Sequence, residues 1–364
     1  MSDDPAMAPL RILLSDAARE SVGADIASAL GSRAHCFVAP RPGINADLAF
    51  VTRDVTGLST KHAVLPATQA YYDAMLGSPS LRWVHVHSAG ADRPVYVELR
   101  ARGVAISTSS GANAAVVAQS ALAGLLALAR RFPQLMRAQR ERTWAPLIGT
   151  GLPRDLAGQT AVIVGWGPIG QQIAASLRLL GLRLAVVRSS ADPAAVDVET
   201  LAFEEIGRVL PRADWLLLAC PLTSRTRGLI DASAISRLPD GAHLINVARG
   251  ELVDEPALIA ALAGGKLCGA FLDVFAHEPL PPESPLWGLD NVIATPHSAG
   301  WAWARDSRTN ASPLRATRAT GRWCSGPTVV SPRHEASMRR AASGWSSPSP
   351  TKALASNWSA RPGS

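Results

Sequence analysis

Apolar and polar positions along the chain follow two rhythms. In the first third, the short apolar runs RILLS, HCFVAP, LAFVT, WVHVH and VAIST are separated by segments of helical period such as GADIASALG. Runs of this length between polar and turn residues read as buried strands. Strands that alternate with helices read as a parallel sheet covered by helices. Asn113 stands where it can cap a long helix over 114–131, which leads toward the basic segment RAQRERTW. From Thr160 the runs become more regular: TAVIVG, LRLAVVR, ADWLLLAC, AHLINVA, CGAFLDV and NVIATP, with helical segments between most of them. A second α/β unit is expected there.

Both rhythms stop after about Asp306. The last 59 residues hold twelve Ser, six Pro and two Leu, and no Ile, Phe or Tyr. Such a segment cannot bury enough apolar surface to offset the entropy of ordering it, so disorder is expected over 306–364.

Composition adds the class of protein, and charge removes one class of ligand. The apolar fraction of 47% and charged fraction of 18% belong to a globular chain long enough for two domains. The net charge of +7 suggests nucleic acid until its position is read: 306–364 carries nine Lys or Arg against two acidic residues, and the other residues carry 27 of each. The body is neutral, and no nucleic-acid partner is expected for it. Cys36, Cys220, Cys268 and Cys324 are scattered without ligand-like spacing, so reduced thiols, no metal and a cytoplasmic location are expected. The acidic start MSDDPAMAPL lacks a secretory signal's apolar core. The longest apolar stretch, 114–129, is shorter than the roughly 20 residues of a membrane span, so no membrane is expected.

The clearest chemistry lies in Thr160 to Gly170, TAVIVGWGPIG, where a buried strand runs into Gly165-x-Gly167-x-x-Gly170 and then the helix former QQIAASLRLL. Gly165 permits the tight turn, Gly167 lets backbone approach a pyrophosphate, and Gly170 lets helix and strand pack closely. Pro168 and Ile169 complete the loop, and the helix N-terminus offers N–H groups to the phosphates. A lone glycine triplet is a weak signal; strand, loop and helix in this order make a dinucleotide site. Eighteen residues beyond Gly170 stands Arg188, followed by Ser189 and Ser190. An acidic residue here would bind a ribose 2′-hydroxyl, whereas an arginine with hydroxyls suits a 2′-phosphate. NADP is therefore favoured over NAD. In the alternative reading Arg188 is a solvated strand end and Asp192 turns back to the ribose.

Three further segments, LINVARGELVDEPALIAAL, FLDVFAHEPLP and NVIATPHSAGW, follow in order. With the GWGPIG loop they closely resemble the D-isomer-specific 2-hydroxyacid dehydrogenases, in particular the glyoxylate/hydroxypyruvate reductase branch, over about residues 40–303. The resemblance implies two doubly wound parallel-sheet domains, a flavodoxin-like substrate-binding domain (1–112) and a Rossmann NAD(P)-binding domain (113–299), with the active site in the cleft between them. It implies reduction of a small 2-keto acid to the D-2-hydroxy acid. In it His297 is the general acid and base, Glu278 orients and charges the imidazole, and Arg249 holds the substrate carboxylate. The chemistry is apt. Hydride arriving at a keto carbon leaves negative charge on oxygen, which needs a proton donor. An imidazole titrates near 6.5, and a hydrogen-bonded carboxylate favours its charged form. A planar guanidinium grips a carboxylate as an ammonium cannot.

The same resemblance places the backbone of Ser88, Ala89 and Gly90 against the substrate carboxylate and Asp273 on the nicotinamide amide. Cys220, Pro221, Thr226, Val247 and Ala248 line the cofactor's path, and Trp144 sits on the arm of a homodimer. Taken singly, an arginine before glycine or a histidine after proline is a common surface residue. Together, at the ends of successive strands, they stand where an open α/β sheet puts its ligands.

Two features qualify the likeness. The family's chain returns to the first domain through a closing helix that no pattern after Trp303 matches. Four or five apolar side chains at ~1.5–3 kcal/mol each would be lost with it. The abrupt change of composition after PHSAGW suggests out-of-frame translation of a GC-rich gene, which the other two reading frames would test; a basic tail for an anionic partner is the rival. The competing functions are a nicotinamide-sensing regulatory protein like the carboxyl-terminal-binding corepressors, and a catalytically impaired family member. The formate branch carries Gln where Glu278 stands.

Overall fold

Every strand pairing in the computed structural model, which describes residues 8–149 and 152–301, is parallel. The tail expected to be disordered lies outside the described residues. The five apolar runs of the first third form β1 (Leu10–Leu13), β2 (His35–Val38), β3 (Leu48–Val51), β4 (Trp83–Val86) and β5 (Ala105–Thr108). They pair in the order β2-β1-β3-β4-β5, the flavodoxin-like arrangement. Helix α1 (Asp16–Leu30), capped by the Ser15 hydroxyl, covers one face through Ala18, Val22 and Ile26. The four-residue α2 (Arg53–Thr56) follows β3, and α3 (Pro66–Leu76) and α4 (Pro94–Ala101) bury Tyr71, Tyr72, Met75, Tyr96 and Leu99 against the other face. The Tyr71 hydroxyl bonds to the Leu13 and Phe50 carbonyls, so its burial leaves no unpaired polar atom there.

The second unit is a seven-stranded sheet: β6 (Thr160–Val164), β7 (Arg183–Arg188), β8 (Glu199–Ala202), β9 (Trp215–Leu218), β10 (Ala242–Asn246), β11 (Leu267–Leu272) and β12 (Val292–Ala294). From β8 inward the order is β8-β7-β6-β9-β10-β11-β12. That is the Rossmann order with one added strand, and its direction reverses between β6 and β9. Helix α5 (Ala114–Ala129) covers one face of this sheet. Gly124 lets it approach, since a Cβ there would meet the Phe271 ring at 2.3 Å.

Three expectations are corrected. Asn113 occupies the N-cap of α5, but its side chain makes no capping bond; its amide reaches toward the Gly300 carbonyl instead. The long helix stops at Ala129, where Arg131 adopts a left-handed conformation (φ 56°) and α6 (Phe132–Arg140) leaves at a 70° bend. Strand β8 has no counterpart among the apolar runs, because Glu199–Ala202 buries only Leu201. Among the described residues no single helix is long and apolar enough to cross a membrane; the bent α5–α6 pair passes by length and composition, with α5 largely packed in the core. Trp144 is 95% exposed, and Ile148 and Leu152 are exposed beside it in sequence.

Candidate active site

The glycine loop forms as its spacing requires. Helix α7 (Pro168–Leu179) starts three residues after Gly165, with Gly167 at its N-cap. Gly165 has φ 107°, and a Cβ there would lie 2.6 Å from the Ala219 carbonyl oxygen just beyond β9. A Cβ on Gly170 would lie 2.1 Å from the Gly165 carbonyl oxygen. These two glycines close the turn. Gly167 differs: nothing lies within 4 Å of where its Cβ would stand. That open space borders the first turn of a twelve-residue helix, where Ile169 and Gly170 carry N–H groups with no intrahelical partner. The cradle fits a pyrophosphate.

Arg188 ends β7, half-buried, and its guanidinium has no hydrogen-bond or ion-pair partner among the described residues. Asp192, the alternative ribose ligand, accepts instead from the Ser190 hydroxyl at 2.9 Å. On the other side of the loop the Thr226 hydroxyl donates to the Pro221 carbonyl and accepts from the Thr223 N–H, both at 2.8 Å, so it shapes the turn after β9. Burial pushes the Cys220 thiol up to about 12, which leaves it neutral and packing as an apolar side chain.

Arg249 is aimed by the end of β10. Buried Asn246 accepts from the Ala248 N–H at 3.0 Å and donates to the Arg249 carbonyl at 2.9 Å, which folds the backbone around Val247 and Ala248 into a tight exit. Gly250 then abuts the backbone of Phe275, where a Cβ would overlap the carbonyl carbon at 1.8 Å. The guanidinium crosses to the first sheet. Its Nε and Nη2 each reach Asp92 Oδ1 at 3.1 Å, its Nη1 donates to the Ala248 carbonyl at 2.6 Å, and a Cβ on Gly90 would lie 1.8 Å from Nη2. Three of its five N–H groups are thus engaged, leaving one on each Nη as a fork for a carboxylate. Ser88 and Ala89 lead into this contact from β4, and the Ser88 hydroxyl fixes the turn by donating to the Gly90 carbonyl at 2.8 Å.

His297 and Glu278 meet as the sequence implies, with Nδ1 of the imidazole 2.9 Å from Glu278 Oε2. The other carboxylate oxygen accepts from the Phe275 N–H at 3.2 Å. Burial alone would raise the Glu278 pKa, but the hydrogen bond and charge of His297, the Phe275 N–H and Arg249 hold it below the usual value. The carboxylate is therefore ionised at neutral pH and can hold one ring nitrogen as a donor, leaving Nε2 for substrate. His297 sits at φ 50°, a left-handed conformation that costs a non-glycine residue about 1–3 kcal/mol. Asp273 supports it. Its backbone carbonyl accepts from the His297 N–H, and its carboxylate accepts from the Ser298 and Ala299 N–H groups and the Thr295 hydroxyl. Burial raises the Asp273 pKa against these bonds. The carboxylate, expected on the nicotinamide amide, thus also organises the turn that carries the imidazole.

Sequence reading missed the ring of contacts that ties the first sheet to this site. Lys61 binds Asp92 and Glu251, the Thr60 hydroxyl donates to the Glu278 carbonyl at 2.6 Å, and the Glu278 N–H donates to His62 Nδ1 at 3.1 Å. The His62 and His277 rings stack at 4.6 Å. Burial would raise the Asp92 pKa, but Arg249 and then Lys61 bring it down to about 2. Asp92 had a signal, two residues beyond Gly90 in the same VHSAGADR segment. Lys61 had none, being 190 residues from Glu251.

Comparison with known proteins bears on the family and the fold. The family model described as D-isomer specific 2-hydroxyacid dehydrogenase, NAD binding domain, matches residues 122–299. Glyoxylate/hydroxypyruvate reductase B of Salmonella paratyphi A is 32% identical over 268 residues, covering 72% of this chain and 82% of that protein. D-3-phosphoglycerate dehydrogenase of Mycobacterium tuberculosis (strain ATCC 25618 / H37Rv) is 35% identical over 247 residues, 67% of this chain but 46% of that enzyme. The chain therefore spans about half the length of the D-3-phosphoglycerate dehydrogenases it matches. The crystal structure of a D-isomer specific 2-hydroxyacid dehydrogenase from Xanthobacter autotrophicus Py2, in complex with NADPH and MES, superposes with a TM-score of 0.66 at 28% identity, covering 90% of this chain and 99% of that one.

Proposed function

This chain belongs to the D-isomer-specific 2-hydroxyacid dehydrogenases, and from that premise we propose that it reduces a small 2-keto acid of the glyoxylate or hydroxypyruvate type with NADPH. The observation that carries the reading is the convergence, at the ends of β10, β11 and β12, of the Arg249 fork and the Glu278–His297 pair beside the Gly90 turn. Bound NADPH supplies the hydride. Arg249 binds the substrate carboxylate through its two remaining N–H groups and steadies the keto oxygen. His297, oriented by Glu278, gives that oxygen a proton from Nε2, and withdraws it in the reverse direction. The backbone of Ser88, Ala89 and Gly90 closes the carboxylate pocket from the first sheet.

Lys61 supports a small substrate over a phosphorylated one. It is the cation beside Arg249 that could meet a distal phosphate, and Asp92 and Glu251 already neutralise it. Arg188 supports NADPH, because a half-buried cation without a counter-charge among the described residues favours an anion.

A steady-state assay of the purified chain tests both parts, pairing NADPH and NADH with glyoxylate, hydroxypyruvate and 3-phosphohydroxypyruvate. Oxidation of NADPH by the first two keto acids, with kcat/KM at least about tenfold above NADH, is the expected result. Preference for the phosphorylated acid would overturn the substrate assignment, and preference for NADH would overturn the role given to Arg188.

A further inference from the structure

We propose that Arg225 is a second ligand for the 2′-phosphate of the cofactor's adenosine, acting with Arg188; this rests on the reading of the chain as an NADPH enzyme. Arg225 lies in the turn after β9, 36 residues from Ser189, and the fold brings its guanidinium against the end of β7. Nη1 and Nη2 each donate to the Ser189 carbonyl at 3.2 Å, and Ser189 directly follows Arg188. In a sheet of this order the ribose is received at that strand end.

The guanidinium is held in one plane. Nε and Nη2 donate to Glu204 Oε1 at 3.1 and 2.7 Å, Nη2 reaches Oε2 at 3.0 Å, and the Phe203 ring lies 5.4 Å from the guanidinium carbon. This is the forked mode in which a guanidinium takes a carboxylate or a phosphate alike. One N–H on Nη1 is left over. Glu204 and Arg225 are both largely solvent-exposed, so their ion pair is weakly held and exchangeable. The Arg225 hydrogen bond, with its charge, holds the Glu204 pKa below the usual value, so the carboxylate is ionised at neutral pH and competes with an incoming phosphate.

Two arginines flanking Ser189 against one displaceable carboxylate leave a positive site for a dianion. A cofactor with a free 2′-hydroxyl can displace nothing there. Arg225 and Glu204 thus bear on the phosphate alone, while the glycine cradle near Gly167 serves both nucleotides equally.

The test is calorimetric binding of adenosine 2′,5′-bisphosphate and adenosine 5′-monophosphate to the full-length protein and to R188A, R225A and E204Q. In the unsubstituted protein the bisphosphate should bind at least about tenfold more tightly than the monophosphate. R225A should reduce that preference by about tenfold with monophosphate affinity unchanged within about twofold, and E204Q should widen it severalfold. Should R188A lose the preference while R225A keeps it, the role of Arg225 falls and the NADPH reading stands. Equal weakening of both nucleotides in R225A, or a narrowed preference in E204Q, also overturns the proposal. Absence of any preference in the unsubstituted protein would overturn the NADPH reading, and this inference with it.

Discussion

Replacing His297 by Gln should lower kcat for keto-acid reduction by about a thousandfold, within the 10²–10⁴ that a positioned general acid contributes. Gln keeps a hydrogen bond to Glu278 but cannot deliver a proton. The loss should fall on kcat, with the NADPH dissociation constant unchanged, because no cofactor-loop residue bonds to the imidazole. E278Q separates orientation from charge. It preserves a partner for Nδ1 and removes a carboxylate that is ionised at neutral pH, its pKa lying below the usual value through His297, Phe275 and Arg249 despite burial. Without that negative charge the Nδ1–H loses its ionic acceptor and the ring its fixed tautomer, so kcat for reduction should fall by at least about tenfold with the NADPH dissociation constant unchanged. H297Q retaining more than a tenth of the parent kcat would remove the acid role. An unchanged kcat in E278Q would remove the orienting role of Glu278.

Acid should unfold this protein well before its carboxylates are protonated. Burial lowers the pKa of His85, His87 and His243 to about 4 in each case, with nearby charges adding to it: His87 for His85, Arg53 and Arg93 for His87, and Arg131 for His243. The unfolded chain takes these protons near 6.5. Between pH 6.5 and 4 the unfolded state therefore binds more protons, and unfolding free energy falls as pH falls. Three such groups bound the loss at roughly 10 kcal/mol by linkage, comparable to a whole domain's stability. Part is recovered, because His243 stacks on Trp215 at 4.1 Å and a charged ring there gains a cation–π contact. Asp273, with its pKa raised by burial, works in the same stabilising direction on acidification. A loss on the order of 5 kcal/mol between pH 7 and 4.5 is the expected outcome in denaturant unfolding followed by tryptophan fluorescence. His85, whose ring nitrogens both meet serine hydroxyls at 2.9 and 3.1 Å, offers the control, since H85N should flatten the pH dependence. A stability that stays level across this window would show that these rings charge freely in the folded state.

The parts of the molecule legible in its sequence are those fixed by local physics. Four-residue apolar runs such as LAFV at β3 and WLLL at β9 are buried along their whole length, as central parallel strands must be. The glycine loop was legible because Gly165 and Gly170 each answer a separate steric demand, seen in the Ala219 and Gly165 carbonyls that would meet an added Cβ. Arg249, Glu278 and His297 were legible from their place at strand ends and from family likeness. The end of α5 was legible to within two residues, since the expected helix stopped at Arg131 just before Pro133; the left-handed Arg131 that turns the chain into α6 was not, because its conformation depends on how α5 and α6 pack. Strand β8 was hidden for want of apolar residues. Lys61 and Arg225 were hidden for another reason. Each acts through partners 21 to 190 residues away, and single-sequence patterns carry no information at that distance.

Transfer of label tests the central claim most directly. The purified chain is given hydroxypyruvate and NADPH carrying deuterium at both C4 positions, and the glycerate formed is analysed for isotope position and chirality. Hydride transfer to a keto carbon held by Arg249 and protonated on oxygen by His297 predicts D-glycerate with one deuterium at C2. L-glycerate, glycerate without deuterium at C2, or no turnover with either labelled NADPH or labelled NADH would contradict it.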